Sequence, residues 1–596
     1  MSVTSDKRSE EFLKISGQFK LGALVTESSH PVTANLSDVA KKDITAALRL
    51  LFEADGDVVR KFHEFAASGK SEEIKETILR SLKNGGRIFF TGCGSTGRLS
   101  ILLDSVWRDF WQQEVQRSLL PLADLENRTV SVMAGGDYAL IKSVEGFEDI
   151  TAFGKKQIND LKVSSKDVVF AITEGGETSF VIGTAWAGVA AGAKVYFVYN
   201  NPDDILCEHV QRSREVIQDS RIEKINLTTG PMSITGSTRM QATSIQLCVM
   251  LTILEMVARE LTQQEPSHPP LPSQFLAALE QLHANLTSPE VLTSLAELVA
   301  LEESVYRSGH KNNYFASRFG IDVLTDTTER SPTYCTPPFR KFDDTTASES
   351  WAFLFLPRNE TPEAWQNILK RPPRCVEWSE NEVRKLVGEE KLPRTMETIR
   401  KISRAELLRF KIGLDGLPAR VLKKGDCTVS VVSETEKDSL LSPDGFSFTQ
   451  PAAAQKIGAK NGLIYFGNSA IDDKLADKTV FIPLPKTDFL LDGISRIAVK
   501  LVMNALSTCT MVRLGRVMGN TMIWVVPSNL KLIDRATRYF SRLASLEYSH
   551  ANRLLFEVIE YVEPRMKSDR AYPPVVGMAV LRAKENLSNE EAEKKF

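Results

Sequence analysis

The stretch from Gly85 to Ser100 joins an apolar strand, a turn of glycines and hydroxyls, and the start of an apolar-periodic run. Glycines at 94 and 97 let the backbone bend sharply and approach a ligand. The free N–H groups of the following helix, with the positive end of its dipole, attract an anion. A phosphate is therefore expected here, with Ser95 and Thr96 as hydroxyl donors. Two more loops carry the same chemistry: Thr173, Gly175, Thr178 and Ser179 in one, and Ser237 and Thr238 in the other. Hydroxyls before helices also serve as caps, but three such loops on one rim favour a ligand.

The spacing around Gly92, Gly94 and Gly97 also fits G-x-G-x-x-G, so the kind of phosphate must be decided elsewhere. A dinucleotide site needs an acid about 20 residues beyond the turn, closing the next strand; Asp137 is about twice that far. A Walker loop needs Lys and then Ser or Thr after its last glycine, and Arg98 stands there instead. One phosphate with many hydroxyls, a phosphosugar, fits these loops better.

The elements that must hold the loops are legible as apolar runs. Residues 88–92, 130–134, 168–172 and 195–199 are nearly continuous in apolar character, a last strand is read at 222–227, and each leads into a turn and a helical segment. That pattern marks a parallel sheet buried on both faces, a doubly wound α/β domain whose turns at 94, 173 and 200 converge on one rim. Residues 24–31 read as an extended segment, helices follow from Ser37 and through 71–82, and Pro, Ser and His crowd 265–273 as a linker. The second half repeats the architecture, with strands expected at 304–308, 351–356, 428–432, 463–466 and 480–485 and a long helix from Asp492. Its counterpart of the glycine turn is read at 309–314, where the phosphate glycines are missing. From Leu530 the chain is helical with a loose end.

A chain of 596 residues divides into several domains. The expected units are an N-terminal extended and helical segment (1–54), a first α/β domain (55–264), a linker and helix (265–289), a second α/β domain (290–536) and a helical C-terminal cap (537–596). Lys+Arg 74 against Asp+Glu 76 leaves almost no net charge and makes nucleic acid a poor partner. Seven scattered cysteines suit reduced thiols and a cytoplasmic protein, and argue against a zinc site or disulfide framework. No apolar run reaches membrane length. No cofactor and no metal are expected.

The motifs GCGSTGRLS (92–100), AGGDYALIKSVEGFED (134–149), ITEGGETSFVIG (172–183) and GPMSITGSTRM (230–240) resemble the sugar isomerase (SIS) domain of the N-acetylmuramic acid 6-phosphate etherases. LVTESSHPVT at 24–33, LVMNALSTCTMVRLGRVMGN at 501–520 and PSNLKLIDRA at 527–536 resemble further parts of the same family. Two SIS domains in one chain, with the motifs split between them, resemble the glucokinase regulatory protein family, an internal pseudo-dimer that can stand as a monomer.

The resemblance implies two α/β SIS domains in tandem under a helical C-terminal cap. It implies hexose 6-phosphate binding by Gly94, Ser95, Thr96, Gly97, Thr173, Gly175, Thr178, Ser237 and Thr238. Arg516 stands where the families carry a Lys that reaches the sugar phosphate from the partner domain. Glu145 matches the etherase base, whereas the position of the acid is Val106, which cannot transfer a proton. Asp104 points ~200° away around the helix. Elimination of an ether wants acid and base on either side of the breaking bond, so etherase activity is expected to be lost or very weak. Glu177 is expected to face sugar hydroxyls or solvent, and Asp322 and Thr325 fall near the regulatory family's sugar-contacting region. The regulatory family also implies a hexose kinase as partner. Two alternatives stay open: an etherase or phosphosugar isomerase with Glu145 as base, and a partner-binding regulator with a vestigial sugar site.

Overall fold

Five strands of the first half form one parallel sheet: β1 Ile88–Gly92, β2 Thr129–Met133, β3 Val168–Ile172, β4 Lys194–Tyr199 and β5 Ile222–Asn226, in the order β2-β1-β3-β4-β5. Every residue of β1, β2 and β3 is buried, as the continuous apolar runs require of a sheet covered on both faces. The computed structural model describes residues 3–16, 21–117, 124–144, 146–264, 268–527, 530–567 and 572–596.

A second parallel sheet comprises β6 Asn312–Ala316, β7 Ala352–Phe355, β8 Cys427–Ser433, β9 Lys460–Gly467 and β10 Lys478–Pro483, in the order β10-β9-β8-β6-β7. In both sheets the first strand in sequence lies between the second and the third, so the topology is repeated.

One strand expectation is overturned. Residues 304–307 end the helix Pro289–Arg307, which Ser288 caps through the Val291 N–H, and Val305 and Tyr306 lie on its buried side. A short apolar run cannot tell a strand from the end of a buried helix. The true strand begins at Asn312, its polar side chains hiding it from an apolar reading. Asn312 Nδ2 donates to Glu302 at 2.9 Å and Asn313 Oδ1 accepts from Arg420 at 2.6 Å, so each buried amide has one partner, while Asn312 Oδ1 and Asn313 Nδ2 have none. The turn equivalent to the glycine turn is therefore residues 317–319, not 309–314. The segment expected as extended, 24–31, is so only in part: Leu24 and Ser28 have extended backbone and Ser29 forms a parallel bridge with Met232, but Val25–Glu27 between them is a 3₁₀ turn.

The two sheets meet through helices. Gln241–Leu261 packs against Ile44–Ala67, Lys70–Lys83 and Gly493–Arg513, and is buried all round from Gln241 to Arg259. Among the described residues it is the one helix long and apolar enough to cross a membrane, and that apolar span lies wholly inside the protein. Gly94–Arg117 packs against Gly320–Tyr334, so the helix after β1 faces the helix after β6.

Four helices close the chain: Leu530–Ala544, Tyr548–Lys567, Val575–Glu585 and Asn589–Glu593. The N-terminal helix Val3–Ile15 joins them, with Phe12 against Phe556 and Ser9 Oγ donating to Asn552 Oδ1 at 2.6 Å. Helices run unbroken through residues 54 and 536, where domain boundaries were expected. Of the expected linker, residues 265–267 lie outside the described residues.

Candidate functional site

The strand order fixes where a ligand can sit. Because β2 and β3 flank β1, the chain changes direction between β1 and β3, and a crevice opens beyond their carboxyl ends. The glycine turn and the 173–179 loop border that crevice.

Gly94 opens the helix Gly94–Arg117 with φ +56°, and a Cβ built there meets nothing within 4 Å. The space above the turn is free. Gly97 serves packing instead, since its Cβ would lie 2.6 Å from Met133 on β2. The Thr96 hydroxyl works inside the turn: it accepts from Cys93 N at 3.1 Å and lies 2.9 Å from Cys93 O. On the neighbouring loop the Thr173 and Thr178 hydroxyls bond each other at 3.1 Å, and Gly175 O accepts from Asn201 Nδ2 at 3.1 Å. Asn201 also receives Thr26 N at 3.1 Å, which ties the N-terminal segment to this rim. Glu145 lies outside the described residues. Its neighbour in the same motif, Glu148, accepts the Cys93 thiol at 3.4 Å.

Ser95 looks away from the first sheet. Its Oγ donates to Glu329 Oε2 at 3.0 Å, and the fully buried Arg98 donates to Glu329 Oε1 at 2.7 Å. A cavity begins here, between the helices after β1 and β5 and their counterparts after β6 and β10. Ser95, Arg239, Asp322, Glu329, Lys500 and Asn504 are among its lining residues. Arg239, 3% exposed, reaches Asp326 at 3.3 Å and the Ser507 and Thr508 hydroxyls at 3.0 Å each, while its Nε has no partner. Lys500 donates to Arg239 O at 2.8 Å. Burial, and then the charge of Arg239, push the Lys500 ammonium down to about 8. Behind it, burial raises Asp55 to about 7, against the hydrogen bond that Gln241 donates at 2.8 Å.

Arg98, Arg239, Glu329, Lys500 and Asn504 escaped the sequence reading. Arg98 and Arg239 follow the glycine and hydroxyl motifs directly, a signal that could have found them. Their second-half partners carry no local pattern. Asp322, expected near sugar, is paired with Arg496 at 2.6 Å, and burial raises it to about 6; Thr325 spends its hydroxyl on Ile321 O at 2.9 Å.

Two side chains stand elsewhere than expected. Glu177 is 5% exposed and ion-paired with Arg212, so it faces neither solvent nor an open sugar site. A buried carboxylate needs such a partner. Arg516 donates to the Tyr334 and Cys335 carbonyls at 3.2 Å and lies over the Trp351 and Trp524 rings at 5.0 and 3.7 Å. Burial brings its guanidinium down to about 10. Its contacts hold it on the second unit's Gly320–Tyr334 helix end, not at the glycine turn.

Ser237 and Thr238 precede the helix Gln241–Leu261, where Ser237 N donates to Ile234 O at 2.9 Å and Thr238 O accepts Thr243 N at 3.1 Å. Close by, Tyr539 OH donates to Thr235 O at 2.7 Å, and Arg535 grips Glu27 at 2.5 and 3.1 Å. The helix Leu530–Ala544 thus lies against this third loop and the N-terminal segment together. After β6, Arg318 pairs with Asp109 of the helix Gly94–Arg117 at 2.7 Å and with Asp492, and its N–H donates to Glu436 at 2.9 Å. Among the described residues no group of three or more His, Cys, Asp or Glu could hold a metal ion.

The family model of the glucokinase regulatory protein N-terminal SIS domain matches residues 71–187. The N-acetylmuramic acid 6-phosphate etherase of Francisella tularensis subsp. holarctica (strain LVS) is 30% identical over 239 residues, spanning 39% of this chain and 71% of the relative. That of Deinococcus radiodurans is 31% identical over 228 residues, spanning 38% and 66%. Among solved structures, tagatose-6-phosphate ketose/aldose isomerase from Escherichia coli aligns with a TM-score of 0.41 at 11% identity, over 80% of this chain and 94% of that one.

Proposed function

Since the chain belongs to the family of the glucokinase regulatory protein and the N-acetylmuramic acid 6-phosphate etherases, we propose that it binds a hexose 6-phosphate of the fructose 6-phosphate type without breaking an ether bond. The phosphate sits on the helix N-terminus at Gly94, with Ser95, Thr96, Thr173 and Thr178 around it, and the sugar reaches toward the cavity beyond Ser95. The observation that carries this reading is the open space above Gly94. It adjoins the free N–H groups of a 24-residue helix at the sheet's switch point. The two sheets act as the cores of tandem SIS domains under a helical cap, joined across their crevices by the Arg318–Asp109 pair.

Val106, where the etherases carry their acid, is 3% exposed in the core and offers no proton. Asp104 cannot replace it, being buried against Arg108 at 2.8 Å and Arg374 at 2.8 Å. Lactyl ether elimination therefore lacks its acid even with Glu145 as base.

The test is a thermal-shift titration with fructose 6-phosphate, sorbitol 6-phosphate and N-acetylmuramic acid 6-phosphate, with a lactate assay on the last. Stabilisation by a phosphosugar and no lactate is the expected result; no shift with any of the three would sink the reading. A hexose kinase joins the proposal as partner, to be captured in a pull-down whose yield changes with phosphosugar.

A further inference from the structure

The second unit reaches out of its own sheet and across the first. After the helix Thr361–Leu369, residues 370–379 run along the free edge beside β2. Gly136 and Cys375 form an antiparallel bridge there. Asp137 N donates to Arg374 O at 2.9 Å, and Arg374 N returns a bond to Asp137 Oδ2 at 2.6 Å. The approach is built into the chain: Gly136 has φ +70°, and a Cβ on it would lie 2.9 Å from Arg374 O.

Buried charges lock this arm. Arg371 forks onto Asp137 at 2.6 and 3.0 Å and reaches Asp104 at 3.1 Å; Arg374 reaches Asp104 at 2.8 Å. Burial alone would raise the Asp104 carboxyl, but Arg374, Arg371 and Arg108 together hold it far below the usual range.

At its far end the arm grips a loop of the first unit. The Trp378 indole stacks on Phe147 (centroids 5.9 Å, planes 18° apart), meets Phe153 edge-on at 5.4 Å and donates to Asp160 Oδ2 at 2.8 Å. Lys156 lies over the same indole at 5.5 Å and bonds Glu382 at 2.7 Å. Phe147 is 1% exposed. The next residue, Glu148, touches the crevice from two sides. Its carbonyl accepts Phe180 N at 2.9 Å, in the first turn of the helix after the 173–179 loop, and its carboxylate accepts the Cys93 thiol at 3.4 Å. Within this loop Phe147 N donates to Val144 O at 3.3 Å. Trp378 packs on this loop through Phe147 and, beside it, on Phe153 of the helix Thr151–Asp160, so the second unit braces the loop from outside.

The geometry points to Trp378, carried by the second unit, as a positioning residue of the first unit's phosphosugar site. By holding Phe147 it sets where the Glu148 carboxylate stands beside the glycine turn, and so sets selectivity for the sugar without touching it. This rests on the phosphosugar reading above. The phosphate itself is expected on the Gly94 turn and the 173–178 loop, which the arm's contacts do not include. Disturbing Trp378 should therefore separate sugar recognition from phosphate recognition.

The experiment titrates the full-length wild type, Trp378→Ala and Trp378→Phe with fructose 6-phosphate and with inorganic phosphate by calorimetry. Misplacing a binding loop by about an ångström costs an order of magnitude or more. Trp378→Ala should weaken fructose 6-phosphate by about tenfold and leave inorganic phosphate within about twofold. Trp378→Phe keeps an aromatic ring on Phe147 and should return to within about threefold of wild type. Equal affinity of Trp378→Ala and wild type, an equal loss for both ligands, or no rescue by Phe would overturn the inference. Should Trp378→Ala fail to fold, Lys156→Met removes the cation from the indole at a partly exposed position. It should weaken fructose 6-phosphate alone, and no change there would equally overturn the inference. A wild type that responds to no phosphosugar fells the binding reading and this inference with it.

Discussion

Gly94 is glycine for its backbone angle and not for lack of room. Its φ of +56° disfavours a side chain, while the space where a Cβ would stand is open. Gly94→Ala should cost about 1–2 kcal/mol of stability and put a methyl where the phosphate is proposed to sit. A modest fall in Tm with a large loss of fructose 6-phosphate affinity is expected, measured by melting and calorimetry. Asp55 gives a second prediction at this scale. Its carboxyl, raised by burial from an ordinary 3.8 to about 7, is favoured in the folded protein while protonated. That contribution is complete below pH about 4 and lost as pH rises through about 7. Asp55→Asn can still accept from Gln241 without ionising. Its Tm relative to wild type should climb between pH 5 and pH 8, and a constant difference would refute the assignment.

Between elements, the strongest tie at the site is the contact of the helix after β1 with the helix after β6. Arg98 and Ser95 on the first both bond Glu329 on the second, and the Arg98–Glu329 pair is almost wholly out of water. Removing one partner strands a buried charge, at a cost of about 3–5 kcal/mol. Glu329→Ala should therefore lower the denaturant midpoint clearly, whereas Lys401→Ala, which breaks an exposed pair with Glu397, should leave it nearly unchanged. Equal midpoints for the two variants would show the Arg98 pair to be idle.

For the whole molecule, the helix Gln241–Leu261 decides how separable the halves are. It is buried on every side and is covered by helices from both units, Ile44–Ala67 and Gly493–Arg513 among them. Burial of this kind is the main stabilising term in a fold, roughly 25 cal/mol per Å². A fragment ending at residue 264 would expose the face that Gly493–Arg513 covers. It should aggregate or fail to give a cooperative melt, while the full chain melts as one unit by circular dichroism. A monomeric, cooperatively melting fragment would show the first unit to be self-sufficient.

The amino-acid sequence by itself determined the local features. The strands at 88–92, 130–134, 168–172 and 195–199 and the helix from Asp492 follow from apolar periodicity and punctuation within a few neighbouring residues. The turn at Gly94 follows from residue types alone, whereas Val106 as the place of a missing acid comes from the family resemblance. The sequence misled where a buried polar group broke the apolar rule, as at Asn312 and Asn313, whose amides each find one partner, in Glu302 and Arg420. Only the tertiary structure decided which charges meet. Arg98 finds Glu329 more than two hundred residues away, Arg371 finds Asp137, and Arg516 settles on the Tyr334 and Cys335 carbonyls. Such pairings depend on the low-dielectric positions that packed helices create, and no spacing along a chain encodes those. The turn thus signals an anion from its residues alone, while the side chains around the proposed sugar are chosen by the way two repeated sheets face each other.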